Sequence, residues 1–355
     1  MTISDFLKRE NNNLDLIRII LACLVIIGHA PILNGSSLYW IDPIGNFFTF
    51  TYSGALAVKL FFFISGLVVT NSLLHKRSLL HFIISRSFRL LPGLLILLIV
   101  TVFIFGPILT KVSIHEYFNS LDHFRYIKNN IVFTTDYSLP GVFNENIYKN
   151  AVNGSLWSLR YEVGCYILLL GLFLIGKNAK TAILNILIIA IIVDAFLPNK
   201  FIFSWLGDNQ EINLLPASFA FGAFFAVNAN KIKMDLSIVL GSFIVYYLFN
   251  LSSYNQILFV LASCNLVLYL ASNKHILKLK PKYDISYGIY LWGFLIQQTV
   301  VHYTGHIYVG IHCLISLIIC IVLALLSFIV IEKPFISIGK TIFESITKLT
   351  LKNEQ

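Results

Sequence analysis

Two ionisable side chains eleven residues apart, Arg18 and His29, lie in the first long apolar stretch of the sequence. In a helix of about 3.6 residues per turn this spacing is close to three turns, so both share one face, about 16 Å apart along the axis. Asp15 falls near the same stripe. An arginine at the centre of a membrane-spanning helix costs roughly 2.5–3.5 kcal/mol, which makes ionisable residues there candidates for function. The plainer interpretation, that Arg18 snorkels to the membrane surface and Asp15 caps the helix, leaves His29 unexplained.

A second set of polar residues, Trp157-Ser158-Leu159-Arg160-Tyr161-Glu162, opens a later apolar stretch. A carboxylate that meets an imidazole fixes its tautomer and stabilises the protonated ring, so Glu162 is a candidate partner for His29. The alternative is an interfacial belt of Trp and Tyr, in which Glu162 is a structural partner for Lys59 or Arg18. The sequence does not decide between the two.

Two arginines at i and i+3, Arg86 and Arg89, stand near the start of the third apolar stretch, followed by Pro92. Guanidinium groups in this arrangement can grip phosphates bidentately. The alternative is a basic anchor that contacts anionic lipids at the membrane surface.

The second apolar stretch contains Phe61-Phe62-Phe63-Ile64-Ser65-Gly66, in which aromatic residues are followed by small ones. Small residues inside a membrane-spanning segment are typical of close helix packing. Lys59, shortly before, is the unusual residue of this stretch. We expect it to neutralise a buried carboxylate or to contact an anionic group.

The composition of the whole chain explains why these charges stand out. Its 355 residues are 57% hydrophobic and only 12% charged, with a mean hydropathy of +0.80. A soluble domain usually has about 25% charged residues, so we expect an all-α, polytopic membrane protein. The net charge of +9 does not indicate nucleic-acid binding, because the basic residues lie in short loops between apolar stretches. The five cysteines form no CxxC pair, so neither a disulfide framework nor a metal site is expected.

Ten apolar stretches are near the length of about 20 residues that crosses a bilayer. They are approximately residues 16–33, 53–73, 82–107, 156–175, 180–197, 212–228, 235–251, 255–272, 284–303 and 308–331. With a cytoplasmic N-terminus, eighteen Lys and Arg residues fall on the cytoplasmic side and five on the outer side. An odd number of spans would remove this positive-inside bias, so both termini are predicted to be cytoplasmic.

The long segment at about 108–155, on the outer side, is rich in tyrosine and asparagine. Such side chains suit sugar binding, although tyrosines also settle at the level of the lipid headgroups. We expect residues 1–340 to form one integral-membrane domain, with Pro334 ending its last helix. The tail 341–355 is expected to be a short amphipathic surface helix in the cytoplasm.

Taken together and in this order, the motifs resemble the acyltransferase-3 family of bacterial membrane acyltransferases. The resemblance covers nearly the whole chain. Its motifs are Leu14-Asp15-x-x-Arg18 with His29 following Arg18 after ten intervening residues, Phe61-Phe62-x-x-Ser65-Gly66, Arg86-x-x-Arg89-x-x-Pro92, Leu156-Trp157-Ser158-Leu159-x-x-Glu162, Ser286-Tyr287-x-x-Tyr290-Leu291-Trp292 and Glu332-Lys333-Pro334-Phe335. Two positions depart from the family pattern. Gly293 stands where the family often has His, and Lys59 stands where an acid or a neutral polar residue is common.

The resemblance implies transfer of an acyl group, often acetyl, from cytoplasmic acyl-CoA to a hydroxyl of an extracytoplasmic carbohydrate, without a metal. The residues expected to be catalytic are His29 (as general base or transient acyl carrier), Glu162 and Arg18. Those expected to bind the donor are Arg86, Arg89, Arg18 and Ser65. Those expected to bind the acceptor are Asp15, Lys59, Trp157, Tyr161 and Tyr287.

The same resemblance implies a multi-pass protein of the bacterial inner membrane, whose partners are the lipid bilayer and a lipid-linked glycan such as O-antigen. A homo-oligomer is compatible with the sequence. One alternative is a transporter or flippase of lipid-linked glycans, which would also need buried charges but not the spacing of Arg18 and His29. The other is an acyltransferase with a non-glycan acceptor.

Overall fold

The structure is a computed structural model that describes residues 1–36, 42–176, 181–197, 199–204 and 209–353. Within these ranges the regular structure is helical, apart from two isolated β-bridges. The helices are α1 (Ile3–Phe6), α2 (Leu14–Asn34), α3 (Ser53–Lys76), α4 (Leu79–Val100), α5 (Gly106–Leu109), α6 (Ile114–Asn119), α7 (Asp122–Ile131), α8 (Trp157–Gly176), α9 (Thr181–Asp194), α10 (Gln210–Val227), α11 (Leu236–Leu248), α12 (Asn255–Ala271), α13 (Lys274–Leu277), α14 (Ser286–Thr304), α15 (Val309–Ser327) and α16 (Lys333–Asn353).

Each of the ten predicted apolar stretches contains one main helix, and the third and tenth also include a π turn, so the all-α prediction is confirmed for the described residues. Five helical segments are long and apolar enough to cross a membrane. They are Leu14–Asn34, Ser53–Lys76, Leu79–Leu109, Gly154–Ile175 and Val309–Lys348. The helices α9 to α12 are apolar but shorter. The count of ten crossings and the cytoplasmic position of both termini stay predictions.

The expectation that Pro334 ends the last helix is wrong. A π-helical turn, Phe328–Glu332, leads directly from α15 into α16, and the helix continues past the proline. Pro107 likewise follows a π turn, Thr101–Phe105, at the end of α4. Proline is tolerated in the first turn of a helix because its missing N–H would have no intrahelical partner there. The predicted tail helix therefore begins at Lys333, eight residues before residue 341.

The chain forms two compact units. The first unit comprises Met1–Leu24, Phe47–Arg77 and Tyr161–Asp284. The second unit comprises Val25–Asn46, Ser78–Arg160 and Ile285–Gln355. Helices α2 and α8 contribute residues to both.

In the first unit, α3 and α10 approach each other through glycines. A Cβ atom on Gly66 would stand 2.0 Å from the carbonyl oxygen of Phe219, and one on Gly222 would stand 2.1 Å from that of Phe63. Because glycine has no side chain, the two backbones can touch at both points. The Ser65-Gly66 pair in the sequence predicted such close packing for α3.

The second unit uses small residues at helix contacts in the same way. A Cβ atom on Gly288 of α14 would lie 2.8 Å from the Cα atom of Ala324 of α15. On α16, one on Gly339 would lie 2.8 Å from the ring of Phe88 of α4. Small residues therefore set the spacing of α14 from α15 and of α16 from α4.

The segment 108–155 is held by its own polar side chains. The Tyr117 hydroxyl donates to the carbonyl oxygen of Val102 (2.8 Å), and burial raises the pKa of Tyr117 to about 12. The amide of Asn146 donates to the carbonyl oxygen of Gln298 (2.9 Å). The residues of this segment that were candidates for sugar binding fall into two groups. Buried in the structure are Tyr117, Tyr126, Asn146 and Asn153, whereas Tyr137, Asn144 and Tyr148 are exposed. Only the exposed group remains available to a ligand.

Candidate functional site

The two units divide the residues that the sequence singled out. The first unit contains Asp15, Arg18, Lys59, Ser65, Tyr161 and Glu162, and the second contains His29, Arg86, Arg89, Trp157 and Tyr287. The predicted pairing of Glu162 with His29 joins residues of different units and stays a prediction.

Arg18 is held between two carboxylates. Its Nη1 atom donates to Oδ2 of Asp284 at 3.4 Å and lies 3.9 Å from Oδ1 of Asp15. About a quarter of each of the Arg18 and Asp15 side chains is exposed. Asp284 was missed by the sequence reasoning, although it stands at the predicted start of the ninth span, directly before Ile285 and Ser286. The Arg18 guanidinium is thus fixed in place and still partly open to a ligand.

The start of α2 is capped by asparagine and not by Asp15. The side chain of Asn13 accepts from the backbone N–H of Leu16 (3.1 Å), and that of Asn12 accepts from the N–H of Leu14 (3.3 Å). Asp15 lies in the first turn, where a negative charge is favoured by the helix dipole. The capping explanation for Asp15 is therefore wrong, and its contact with Arg18 accounts for it instead.

Glu162 belongs to a chain of hydrogen bonds between α8 and α3. The hydroxyl of Tyr166 donates to Oε1 of Glu162 and lies 3.1 Å from the hydroxyl of Ser65. All three side chains lie in the first unit. This arrangement orients the carboxylate and links two of the motifs, Phe-Phe-x-x-Ser-Gly and Trp-x-x-x-x-Glu, through a tyrosine that lies between them.

Lys59 is completely buried, with 0% of its side chain exposed. Its ammonium group pairs with Oε2 of Glu211, at the first turn of α10, and not with Glu162. Of the two expectations for Lys59, the pairing with a carboxylate is the one the structure shows, although that carboxylate is partly exposed and not buried. No spacing in the sequence could have identified Glu211, because 152 residues separate the two.

His29 lies in α2 and contributes to the second unit. Its ring meets that of Phe294 edge to face, with the ring centroids 5.6 Å apart. Its Nδ1 atom is closed off from solvent and has no hydrogen-bond partner among the described residues, yet the side chain as a whole is partly exposed. By contrast, Nδ1 of His306 lies 2.7 Å from the carbonyl oxygen of Asn34. Within the described ranges, the polar atoms of His29 are thus not used to hold the fold.

Three of the motifs meet around Arg89 in the second unit. Nη1 of Arg89 lies 3.5 Å from Oε2 of Glu332, a fully buried carboxylate in the π turn before α16. The guanidinium also lies 6.0 Å from the ring centroid of Tyr287, whose hydroxyl donates to the carbonyl oxygen of Leu90 (2.8 Å). Arg89 therefore has an internal counter-charge.

Arg86 differs from Arg89. Its side chain is partly exposed and makes no ion pair or hydrogen bond with any residue that the structure describes. It stands on α4 one turn before Leu90, to which Tyr287 is bonded. Of the two arginines predicted to bind phosphate, Arg86 is the one whose charge is not balanced within the described part of the chain.

The loop before α8 is fixed to α14. The hydroxyl of Ser158 lies 2.6 Å from that of Tyr290, which donates to the carbonyl oxygen of Ser155 (2.7 Å). The amide of Asn153 donates to the carbonyl oxygen of Leu291 (2.8 Å). These bonds place Trp157, which is half-buried, at the first position of α8.

Gly293, a departure from the family pattern, lies where α14 approaches α2. A Cβ atom there would stand 3.1 Å from Cγ1 of Ile26, and the amide of Gln297, one turn on, donates to the carbonyl oxygen of Ile26 (2.9 Å). A histidine at residue 293 would require Ile26 to move. Among the described residues no group of three His, Cys, Asp or Glu side chains could hold a metal ion.

Comparison with known proteins places these motifs in a family. The model of the acyltransferase-3 family, described as an acyltransferase domain, matches residues 11–332. An O-acetyl transferase of Shigella phage Sf6 is 28% identical over 339 residues, which cover 92% of this chain and 97% of the relative. Nodulation protein 10 of Rhizobium leguminosarum bv. viciae is 35% identical over 88 residues, 24% of this chain and 23% of the relative. No solved structure matches. The chain therefore belongs to the acyltransferase-3 family and is a multi-pass membrane O-acetyltransferase.

Proposed function

We propose that this enzyme transfers an acetyl group from cytoplasmic acetyl-CoA to a hydroxyl of an extracytoplasmic, lipid-linked glycan such as O-antigen, in the bacterial inner membrane. The O-acetyl transferase of Shigella phage Sf6, which matches over nearly its whole length, supports acetyl as the group transferred. The glycan acceptor rests on the family resemblance of the motifs.

The observation that carries the proposal is the buried Nδ1 atom of His29, which has no hydrogen-bond partner among the described residues. A buried polar atom without a hydrogen-bond partner costs about 1–3 kcal/mol, so structural histidines usually have one. Nδ1 of His29 has none among the described residues, and the ring is partly exposed. His312 also has an unpartnered Nδ1, but its ring is fully buried and its Nε2 atom lies 3.2 Å from the carbonyl oxygen of Gln297.

In this mechanism His29 is a general base. Its neutral imidazole accepts the proton of the sugar hydroxyl while the hydroxyl oxygen attacks the thioester carbonyl. The carbon–sulfur bond then breaks, and the CoA thiolate leaves and takes the proton from the imidazolium. An alternative within the same function is that the imidazole first accepts the acetyl group and passes it to the sugar.

We assign binding of the acetyl-CoA donor to basic residues whose charge is still accessible to the CoA phosphates. Arg86 has no ionic partner among the described residues and is proposed to bind CoA phosphates. Arg18 keeps about a quarter of its side chain exposed between Asp15 and Asp284 and is proposed to add to the same binding. Arg89 is proposed to have a structural part in donor binding. Its ion pair with Glu332 would hold the part of α4 that carries Arg86.

The test uses membranes that contain the wild type, His29→Gln or His275→Gln, each supplied with radiolabelled acetyl-CoA. A positioned base contributes about 10²–10⁴-fold, so His29→Gln should lower label in the membrane glycan by that factor. His275, an exposed histidine of α13, is the matched control, and its substitution should leave the rate unchanged. Mild alkali should release the label, because it is held as an ester.

Three results would contradict the proposal. Wild-type rates in the His29→Gln variant, at equal amounts in the membrane, would remove the role of His29. Label in lipid or in a small molecule, and none in glycan, would replace the acceptor. A wild type that moves lipid-linked glycan across the membrane but incorporates no label would indicate a flippase.

A further inference from the structure

A partly buried ion pair in the first unit lies outside the family motifs. The Lys59 ammonium pairs with Oε2 of Glu211 and lies 3.5 Å from the carbonyl oxygen of Ala55. The other carboxylate oxygen of Glu211 accepts from the amide of Gln256 at 2.6 Å, and the same amide lies 3.3 Å from the carbonyl oxygen of Phe50. The side chains of Lys59, Glu211 and Gln256, with the carbonyl groups of Ala55 and Phe50, form a connected polar cluster, the Glu211 cluster.

The exposure of this cluster is uneven. Lys59 is 0% exposed, whereas 34% of the Glu211 side chain is accessible. Desolvation makes a buried ion pair costly, and hydrophobic residues of similar volume would often pack α3 on α10 as well. Each carboxylate oxygen has a second lone pair, so Glu211 can accept further hydrogen bonds at its open side. The contact with Lys59 holds the Glu211 carboxylate in place, with part of it open to solvent.

Aromatic rings continue the surface beside the Glu211 cluster. Phe48 and Phe50 both lie against Phe259, with ring centroids 4.4 Å and 5.8 Å apart, and Tyr246 lies 5.3 Å from the same ring. Phe48, Phe50 and Tyr246 are only half-buried. The rings and the polar cluster are contiguous, since Phe50 supplies a carbonyl to Gln256 and Phe259 lies one turn after Gln256 on α12.

We propose that the Glu211 cluster and the adjoining rings form a binding subsite for one neutral sugar unit of the acceptor. Hydroxyls of the sugar donate to Glu211, and one C–H face of the ring stacks on Phe48 and Tyr246. A few placed polar groups on an aromatic lining are the usual composition of a small-molecule site. An anionic sugar fits less well, because the exposed group is a carboxylate.

The place of the cluster agrees with this role. It lies at the beginnings of α3, α10 and α12, which start at Ser53, Gln210 and Asn255. With both termini in the cytoplasm, these three helices begin on the outer side of the membrane, where the glycan acceptor is expected. The subsite rests on the proposed function.

The test compares kinetics for the two substrates in the full-length enzyme. The variant Lys59→Met/Glu211→Leu removes both charges at once, so that no unpaired charge stays buried. Its matched control is Lys340→Met/Glu344→Leu, which removes an exposed Lys–Glu pair of α16. The acceptor probe is the membrane glycan fraction that takes up label from acetyl-CoA with the wild type, titrated by its hexose content.

The site variant should raise KM for the glycan at least about tenfold, the loss expected for hydrogen bonds to a charged group, and leave KM for acetyl-CoA within twofold. The control should change neither. An unchanged KM for the glycan in a folded site variant would overturn the subsite and leave the ion pair with a structural role. Should that variant fail to fold, Tyr246→Ala tests the stacking ring, and an unchanged KM for the glycan there overturns the subsite equally.

Failure of the subsite and failure of the proposed function give different results. If no glycan fraction takes up label with the wild type, the proposed function fails, and the subsite fails with it. If the wild type labels glycan and the variants bind it as well as the wild type does, only the subsite fails.

Discussion

At the scale of single residues, the chain balances its intramembrane charges by pairing. Arg18 meets Asp284, Lys59 meets Glu211, and Arg89 meets Glu332. Ionisable groups within a membrane are costly, and those that remain usually face a partner or a cavity. A basic residue without an acidic partner is therefore a candidate for binding an anionic ligand. Among the described site residues, Arg86 is the only basic residue of this kind.

Substitution of Arg86 should affect donor binding and not the fold. A charge-assisted hydrogen bond is worth about 1.5–3 kcal/mol, so Arg86→Gln should raise KM for acetyl-CoA by about 10- to 100-fold. The melting temperature of the purified enzyme in detergent should stay that of the wild type. Arg77→Gln, which removes an exposed arginine at the end of α3, is the control and should leave both quantities unchanged. An unaltered KM in Arg86→Gln would show that the phosphates bind elsewhere.

Substitution of Arg89 should affect the fold first. Arg89→Gln leaves the carboxylate of Glu332 buried without its counter-charge, and breaking a buried pair in this way typically destabilises a protein by about 3–5 kcal/mol. The melting temperature should fall, and the double variant Arg89→Gln/Glu332→Gln should recover most of the loss. A double variant as unstable as the single one would argue against the pair.

At the scale of helices, the contact of α3 with α10 depends on two glycines that face each other's backbone. Gly66 could be predicted from the Ser-Gly pair, because small residues inside a span signal close packing. Gly222 gave no comparable signal, since its importance comes from the carbonyl of Phe63 on another helix.

A methyl group at either glycine should separate the two helices. Gly66→Ala and Gly222→Ala each place a Cβ atom within 2.1 Å of a backbone oxygen, and overpacking of this kind costs about 1–3 kcal/mol or more. Gly171→Ala on α8 is the matched control, because nothing lies within 4 Å of its Cβ position. It should be neutral, or stabilising by up to about 1 kcal/mol from helix propensity. Equal melting temperatures of all three variants would contradict the close contact.

At the scale of the whole molecule, the distribution of Lys and Arg is the argument for orientation. Eighteen basic residues against five favour cytoplasmic termini and an even number of spans. Labelling of introduced cysteines tests this without reference to activity.

In intact spheroplasts, a membrane-impermeant maleimide should label Lys149→Cys, in the outer segment, and should not label Glu10→Cys or Lys340→Cys. All three positions are exposed on the protein. The latter two should react after permeabilisation. The natural cysteines give little background, because Cys165, Cys264, Cys313 and Cys320 are buried and Cys23 is half-buried. Labelling of residue 10 or 340 in intact cells would reverse the predicted orientation.

The sequence by itself determined the class of protein, the positions of its long helices and its family. These properties follow from local composition, because a bilayer requires about 20 apolar residues per crossing and forces the backbone to form its hydrogen bonds within the segment. The exact helix ends needed the structure, as the continuation through Pro334 shows.

Only the tertiary structure decided which charges meet. Periodicity placed Arg18, His29 and Glu162 on helix faces, but a helix face does not specify the helix that packs against it. Asp284 lies 266 residues from Arg18, and Glu211 lies 152 residues from Lys59. Contacts across such distances depend on how helices pack through small residues such as Gly66 and Gly222, and this packing follows from shapes on both sides that no single stretch of sequence contains.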